Sequence, residues 1–159
     1  MRVHAEKTIS QRGFDAEEGA ALTFRFQSGV MDTFLVSDNI PSPYNFEAGT
    51  GKNPLIGKAA GIDFYRIFGS DATLSVPDMT RWSYDGTKKS WLEPISKENI
   101  QVIDEVPFEL QLAHFVRVIK GKEAPGCTAE AGLLASIVCD AVKEAILTGE
   151  TVQIETLDL

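Results

Sequence analysis

The stretch LTFRFQSGVMDTFLVSD, residues 22–38, decides the fold class of this chain. Around Phe24 and Phe26, apolar and polar side chains alternate with a period of two, which is typical of a strand with one buried face. A second alternating run follows the Ser28-Gly29 pair. A serine–glycine pair between two such runs predicts a β-hairpin with a two-residue turn.

Working outward, shorter alternating runs predict further strands, and two amphipathic runs predict helices in the last third. The further strands are expected at 3–9, 63–68, 72–76, 79–84, 99–103 and 151–155. Pro107 suits the first turn of one helix, which Gly121 closes, and Thr128 suits the N-cap of a second helix, which ends near Gly149. Strands followed by helices predict an α+β fold, with helices on one face of a mainly antiparallel open β-sheet. We expect the other face of that sheet to lack a cover.

Composition excludes several classes of protein. With 159 residues, 43% of them hydrophobic, the chain can bury a core without a metal or disulfide staple, and we expect residues 1–159 to form a single domain. The formal net charge of -8 disfavours nucleic acids and anionic membranes as partners. No apolar run approaches the length of a membrane-spanning helix. The two cysteines suit neither a disulfide framework nor a zinc site, so we expect a cytoplasmic protein with Cys139 buried in a helix.

A long segment, residues 38–62, fits neither the strand nor the helix period. It contains three prolines and four glycines, together with the aromatic residues Tyr44 and Phe46. Loops of this length are usually functional or disordered, and the aromatic side chains favour an ordered functional loop. The alternative is a purely structural Ω-loop or a contact between subunits.

The residues suggest little catalytic chemistry of their own. The sequence lacks the glycine-rich phosphate-binding motifs, the GxSxG nucleophile motif and the HExxH zinc motif, so we assign no catalytic, cofactor-binding or metal-binding residue. His4 and Glu6 share one face of a predicted strand and could form an acid–base pair, although a solvated strand face explains them better. His114 is interpreted as a residue of a helix surface or interface. Trp82 sits on an alternating segment and could stack on a sugar, pack a subunit interface or pack in the core.

Six blocks of sequence, taken in order, resemble the C-terminal domain of the glucose–fructose oxidoreductase / inositol dehydrogenase / MocA (Gfo/Idh/MocA) family. They are RGFDAEEGA (12–20), FRFQSGVMDTFLVSD (24–38), SPYNFEAGTGKNP (42–54), DFYRIFGSDATLSVPDMTRW (63–82), VPFELQLAHFVRVIKGKEAP (106–125) and TAEAGLLASIVCDAVKEAILTGETVQI (128–154). The resemblance covers nearly the whole chain. Two positions depart from it, since relatives often carry glutamate where this chain has Lys52 and glycine where it has Ala72.

The resemblance implies that this chain is the substrate-binding and oligomerisation domain of an NAD(P)-dependent sugar or polyol oxidoreductase. Members of the family carry an N-terminal Rossmann domain, a Glu-Lys-Pro motif with the catalytic lysine, and an Asp-x-x-x-His motif. None of these occurs in the sequence, and His4 does not match the motif histidine. We therefore expect the isolated chain neither to bind NAD or NADP nor to catalyse oxidation. The alternative is a stand-alone binding or assembly module that acts with a separate Rossmann chain in trans.

The resemblance also implies candidate contacts with the substrate. In the family, the sheet face and the loop corresponding to residues 37–54 border the substrate cleft or a neighbouring subunit. The candidates carried over to this chain are Asp38, Tyr44, Asn45, Glu47 and Trp82. For each of them the alternative is a role in stabilising the loop or a dimer contact. The uncovered sheet face predicts a homo-oligomer, because a large exposed apolar patch seldom stays exposed.

Overall fold

The computed structural model describes residues 1–59, 61–86, 88–103 and 105–155. Eight strands and three helices lie within these ranges. In chain order they are β1 (Arg2–Lys7), β2 (Gly19–Arg25), β3 (Met31–Ser37), α1 (Phe46–Thr50), β4 (Tyr65–Phe68), β5 (Ala72–Val76), β6 (Thr80–Ser83), β7 (Ser96–Asn99), α2 (Pro107–Ile119), α3 (Ala129–Thr148) and β8 (Val152–Gln153). The predicted α+β class is confirmed.

The chain divides into two compact units. The first unit comprises residues Met1–Ile40 and Ala124–Leu159, and the second comprises Pro41–Glu123. Each unit holds one four-stranded antiparallel sheet, ordered β3-β2-β1-β8 in the first and β4-β5-β6-β7 in the second. The antiparallel pairing is confirmed, but the strands are divided between two sheets. Each strand of the second sheet pairs with its neighbour in the sequence, whereas β8 returns from the far end of the chain to pair with β1. That residues 1–159 act as one domain stays a prediction.

The core of the first unit lies between its sheet and α3. Val3 of β1 is fully buried and packs with Phe24 of β2 and Ala141 of α3. The rings of Phe24 and Phe34 meet edge to face, with their centroids 5.9 Å apart. Ala145 is also fully buried, and its small side chain lets the helix approach the sheet closely. Alternation along β1 and β2 therefore buries one sheet face against the helix.

Both long helices begin and end where their capping residues predict. Pro107 opens α2 at its first turn. The side-chain oxygen of Thr128 accepts a hydrogen bond from the Ala131 amide at 3.3 Å, which caps α3. Gly149 ends α3 in the left-handed conformation, with φ of 71°. No helix in the described part of the chain is long and apolar enough to span a bilayer.

The hairpin that decides the fold is present, but its turn has three residues rather than two. The amide of Phe26 donates to the carbonyl of Val30 at 2.9 Å, so residues 27–29 form the loop. The amide of Gly29 in turn donates to the Phe26 carbonyl at 3.0 Å. Gly29 has φ of 88°, and a glycine in this region is what closes a three-residue hairpin loop.

Two other expectations differ from the structure. The strand expected at 99–103 lies instead at Ser96–Asn99. It is the edge of the second sheet, where polar side chains are favoured, so the apolar run after it gave a misleading signal. Cys139, expected to be buried, is exposed because it lines an open groove beside α3. The remaining predicted strands differ only at their ends.

Candidate functional site

One face of the second sheet is polar and carries a cavity of about 310 Å³. The register places Arg66 opposite Ser75, Thr73 opposite Trp82, and Trp82 opposite Lys97. Residues that pair across an antiparallel sheet lie on the same face, and so do residues i and i+2 of one strand. These five side chains therefore lie together on one face. The cavity, called the Trp82 cavity below, is lined by Gly61, Asp63, Arg66, Thr73, Ser75, Asp78, Thr80, Trp82 and Lys97.

Two charged residues of this cavity neutralise each other. Arg66 donates from Nη2 to Oδ1 of Asp63 at 3.1 Å and from Nε to the other carboxylate oxygen. These hydrogen bonds lower the pKa of Asp63 and raise the pKa of Arg66. Arg66 also interacts electrostatically with Tyr44, so the phenol lies near this side of the cavity. The Asp63–Arg66 pair therefore lines one side of the cavity with two charges that compensate each other.

Asp78 presents a carboxylate at another part of the same cavity. Thr80 is 4% exposed, and its hydroxyl donates to Oδ2 of Asp78 at 2.7 Å. The side-chain amide of Asn99 donates to the Asp78 main-chain carbonyl at 2.8 Å. No residue in the described ranges donates a hydrogen bond to Oδ1 of Asp78. That oxygen is therefore available to accept a hydrogen bond from a ligand hydroxyl.

Lys97 and Trp82 form the third feature of the cavity. The Lys97 ammonium lies 5.4 Å from the centroid of the Trp82 ring, within the range of a cation–π interaction. Trp82 is 40% exposed, so part of the indole remains open to solvent. Within the described ranges, no carboxylate forms an ion pair with Lys97.

The segment before β4 is held against the sheet by the short helix α1. Asn45 caps this helix, because its Oδ1 accepts from the Ala48 amide at 2.8 Å. Gly49 is buried, and a Cβ there would lie 2.9 Å from the ring of Phe64. The missing side chain lets α1 rest against Phe64 and Pro77. These two residues adjoin Asp63 and Asp78 in the sequence, so α1 lies beside that end of the Trp82 cavity.

The structure places four of the five candidate residues in the second unit. Tyr44 precedes α1 and is 64% exposed, and Glu47 lies half-buried in the first turn of α1. The side-chain amide of Asn45 is already engaged, since Nδ2 donates to the Ser42 carbonyl at 3.1 Å. Trp82 lies on β6 and lines the cavity. The loop is thus ordered around a short helix rather than extended.

Asp38, the fifth candidate, belongs to the first unit. Its carboxylate accepts a hydrogen bond from Nη2 of Arg12 at 2.6 Å. This hydrogen bond raises the pKa of Arg12. Asp38 also borders a largely apolar groove of about 540 Å³, whose lining includes Phe24 of β2 and Val142 of α3. Its surroundings differ from those of the other four candidates.

The catalytic alternatives find little support in the geometry. Nε2 of His4 lies 3.4 Å from a carboxylate oxygen of Glu6, as alternation predicts, but both side chains are exposed and neither lines the cavity or the groove. On α2, Nδ1 of His114 lies 2.7 Å from a Glu123 oxygen, in keeping with a surface role. No group of three or more histidines, cysteines and carboxylates in the described ranges could hold a metal ion.

The described strands do not form a dinucleotide site of the Rossmann type. A Rossmann fold binds NAD or NADP at the end of a parallel strand that leads into a helix, within a βαβ unit. Every strand pairing in the described part of the chain is antiparallel.

Sequence reasoning missed most of the lining of the Trp82 cavity. Asp63, Arg66, Asp78 and Lys97 are ordinary surface residues when taken singly. Lys97 lay outside every predicted element, because the last strand was expected at 99–103. A strand predicted at 96–99, in the register of the structure, would have placed Lys97 opposite Trp82.

Residues 2–154 match the family model described as "Oxidoreductase family, C-terminal alpha/beta domain". No curated protein sequence matches the chain.

Three solved structures are similar to the chain. They are the putative oxidoreductase yvaA from Bacillus subtilis (14% identity, TM-score 0.67, covering 97% of this chain and 45% of that one), the NAD-binding protein from Listeria innocua (15%, 0.63, 96% and 40%) and the WlbA dehydrogenase from Bordetella pertussis (14%, 0.56, 98% and 39%). At these identities the similarity shows the fold. The chain spans less than half the length of each of these proteins.

Proposed function

The chain belongs to the Gfo/Idh/MocA oxidoreductase family as its C-terminal alpha/beta domain, and on that premise we propose that it is the substrate-binding and oligomerisation domain of an NAD(P)-dependent sugar or polyol oxidoreductase. The Trp82 cavity carries this proposal. Its lining combines one indole ring with the hydroxyl groups of Thr73 and Ser75, the Asp78 carboxylate and the Lys97 ammonium. A sugar offers hydroxyl groups at its edge and C–H groups on its faces, so it matches a site that combines polar groups with an aromatic ring.

The size of the cavity supports a small ligand. Its volume of about 310 Å³ lies at the lower end of the range for ligand sites, roughly 300–1,000 Å³. A single six-carbon sugar or polyol fits such a volume better than an oligosaccharide does. The polar lining also disfavours an apolar ligand, because the Asp63–Arg66 pair and the Asp78 carboxylate would lose solvation without a replacement.

The other candidate residues take supporting roles in this proposal. Tyr44 and Glu47 supply a stacking and a polar contact from the loop, while Asn45 positions both through its cap on α1. Asp38, exposed just after β3 in the first unit, stays a candidate substrate contact on the resemblance to the family alone.

The cofactor belongs to another part of the complete enzyme in this proposal. The structure from Listeria innocua is described as an NAD-binding protein, and that of WlbA as a complex with NADH and UDP-GlcNAcA. By analogy, NAD or NADP would exchange hydride with the substrate of the enzyme to which this chain belongs. Since the described strands form no βαβ unit of the Rossmann type, we assign the nucleotide to a Rossmann domain in a further segment or a separate chain.

A thermal-shift titration tests that assignment. Filling a site at about 100 times its dissociation constant adds ~2.7 kcal/mol of stability, which moves the unfolding midpoint of a domain this size by roughly 5–10 °C. The 159-residue chain should show no such shift with NAD, NADH, NADP or NADPH. A shift with any of the four would contradict the assignment.

Sugar binding is tested with the two tryptophans of the chain. Trp91 is fully exposed and does not line the cavity, so Trp91→Phe leaves Trp82 as the only indole reporter. Titration of this variant with glucose, glucitol, glucuronate and gluconate should change the Trp82 fluorescence saturably for at least one ligand. In calorimetry, Trp82→Ala should weaken that binding at least about tenfold, because stacking and enclosure are both lost. Trp91→Ala is the matched control and should bind as the wild type does. Wild-type affinity in Trp82→Ala, or no binding of any ligand, would contradict the proposal.

Oligomerisation is proposed to use the face of the first sheet opposite α3. Met31 and Leu35 of β3 are 57% and 72% exposed. They are four residues apart on the strand and therefore lie on the same face of the sheet. The strand register places His4 and Glu6 of β1 on that face as well. Large exposed apolar side chains on an otherwise regular sheet face are typical of contacts between subunits. The partner proposed here is a second copy of the same chain.

The proposed location is the cytoplasm. Cys127 and Cys139 are both exposed free thiols, a state that a reducing compartment maintains. Fractionation of the native cells with an antibody against the chain should recover it with cytoplasmic markers; recovery in an extracellular or membrane fraction would contradict this location.

A further inference from the structure

We propose that the Trp82 cavity selects an acidic sugar or polyol, with the ligand carboxylate bound by Lys97. This inference rests on the proposed function and names the substrate class of the same site. Nothing in the match to the family identifies Lys97 as a binding residue or distinguishes an acidic from a neutral substrate.

The balance of charges inside the cavity carries the inference. Asp63 and Arg66 bind each other through two hydrogen bonds, so neither is left to attract a charged ligand. Asp78 already receives the Thr80 hydroxyl on one of its oxygens. The Asp78 carboxylate keeps its negative charge, and Lys97 is the cation of the cavity with which no carboxylate of the described residues pairs. A ligand carboxylate would supply the missing partner.

The position of Lys97 determines where that carboxylate lies. Because Lys97 is the direct cross-strand partner of Trp82, its ammonium lies over the indole ring. A ligand resting on the exposed part of the indole therefore brings one end close to Lys97. The aromatic ring displaces water on one side of the contact, which strengthens the attraction between opposite charges.

The other end of the ligand meets Asp78 and Thr80. Thr80 and Trp82 are two residues apart on β6, so about 6.6–6.8 Å separates their backbone positions. This distance is comparable with the extended length of a six-carbon polyol. The free oxygen of Asp78 would accept a hydrogen bond from a terminal hydroxyl, while the carboxylate stays at the Lys97 end.

A matched pair of ligands isolates the contribution of the carboxylate. Gluconate and glucitol share the six-carbon polyol chain and differ at one end, where gluconate has a carboxylate and glucitol a hydroxymethyl group. In calorimetry with the full 159-residue chain, gluconate should bind at least about fivefold more tightly than glucitol. The preference should shrink in about 1 M salt, which screens an exposed ion pair.

Substitutions of lysine then locate the effect. Lys97→Met should abolish the preference for gluconate over glucitol, whereas Lys97→Arg should preserve that preference. Lys88→Met removes the same charge from a surface lysine that pairs with Glu93 and does not line the cavity. This control should bind both ligands as the wild type does. Thermal unfolding of each variant establishes that the fold is intact.

The possible results separate this inference from the proposed function. Equal binding of gluconate and glucitol, or a preference that survives Lys97→Met, overturns the selection of acids while the sugar site stands. Absence of binding by every ligand of the panel, neutral and acidic, overturns both. Tighter binding of gluconate that depends on Lys97 supports the inference.

Discussion

The side-chain nitrogen of Asn39 lies 2.6 Å from Oε2 of Glu18, a residue that is only 2% exposed. The same carboxylate accepts hydrogen bonds from the backbone amides of Gln11 and Arg12, at 2.9 and 2.8 Å. Glu18 thereby joins the segment before β2 to the end of β3, where Asp38 lies. The hydrogen bond from the Gln11 amide, helped by those from Arg12 and Asn39, lowers the pKa of Glu18 to about 2.

This lowered pKa predicts how stability depends on pH. The ordinary pKa of a glutamate is 4.5, so the stability that Glu18 contributes is fully present above that pH and is lost as pH falls through about 2. Glu18→Gln should lower the thermal unfolding midpoint at neutral pH by several degrees, because the amides of Gln11 and Arg12 lose their charged acceptor. It should also flatten the decline in stability between these two pH values.

Thermal unfolding across about pH 2–7 checks this prediction. The matched control is Glu17→Gln, which changes an exposed neighbour that does not bind the Gln11 and Arg12 amides. A wild-type pH profile in Glu18→Gln would show that the Glu18 carboxylate does not stabilise the fold.

The cap on α1 predicts that Asn45 acts through structure. Asn45→Ala should lower the free energy of unfolding by about 1 kcal/mol, because the Ala48 amide loses its acceptor. Asn45→Ser restores a capping oxygen and should recover both stability and sugar affinity. Urea unfolding and calorimetry measure the two quantities. If Asn45→Ser is stable but no longer binds, the amide of Asn45 contacts the ligand directly.

The contact between Gly49 and Phe64 predicts a cost for adding a single methyl group. Gly49→Ala should lower the free energy of unfolding by about 1–3 kcal/mol, because the new Cβ would lie 2.9 Å from the ring of Phe64. Gly57→Ala is the control, since a Cβ at Gly57 meets no atom within 4 Å. In a Phe64→Leu background the cost of Gly49→Ala should shrink. If Gly49→Ala lowers the free energy of unfolding just as much in the Phe64→Leu background, the contact with Phe64 is not the cause.

The exposed face of the first sheet predicts self-association. Light scattering of the wild-type chain should give at least twice the protomer mass of 17.4 kDa. Leu35→Asp should make the chain monomeric, because a carboxylate in an apolar contact loses its solvation. Leu147→Asp introduces the same charge at an 81% exposed position on α3 and should leave the assembly unchanged. A wild-type chain that is monomeric at micromolar concentration would contradict the proposal.

The candidate site was only partly predictable from the chain. Trp82 is a candidate because an aromatic residue on an alternating strand is visible locally, whereas Tyr44 is a candidate because the family resemblance places its loop beside the substrate cleft. Lys97 was not identified, because its position beside Trp82 depends on the register between two strands. Asn45 was identified for a reason that the structure changes, since its side chain caps α1.

The sequence by itself determined the α+β class, the two long helices and the hairpin around Gly29. These features depend on signals a few residues apart, such as the Thr128 cap, the glycine that ends α3 and the alternation around Phe24. Only the tertiary structure decided that the strands form two sheets, that Glu18 is buried, and that Lys97 lies over Trp82. Strand pairing brings together residues that are distant in the chain, and neither periodicity nor capping records which strands will pair or in what register.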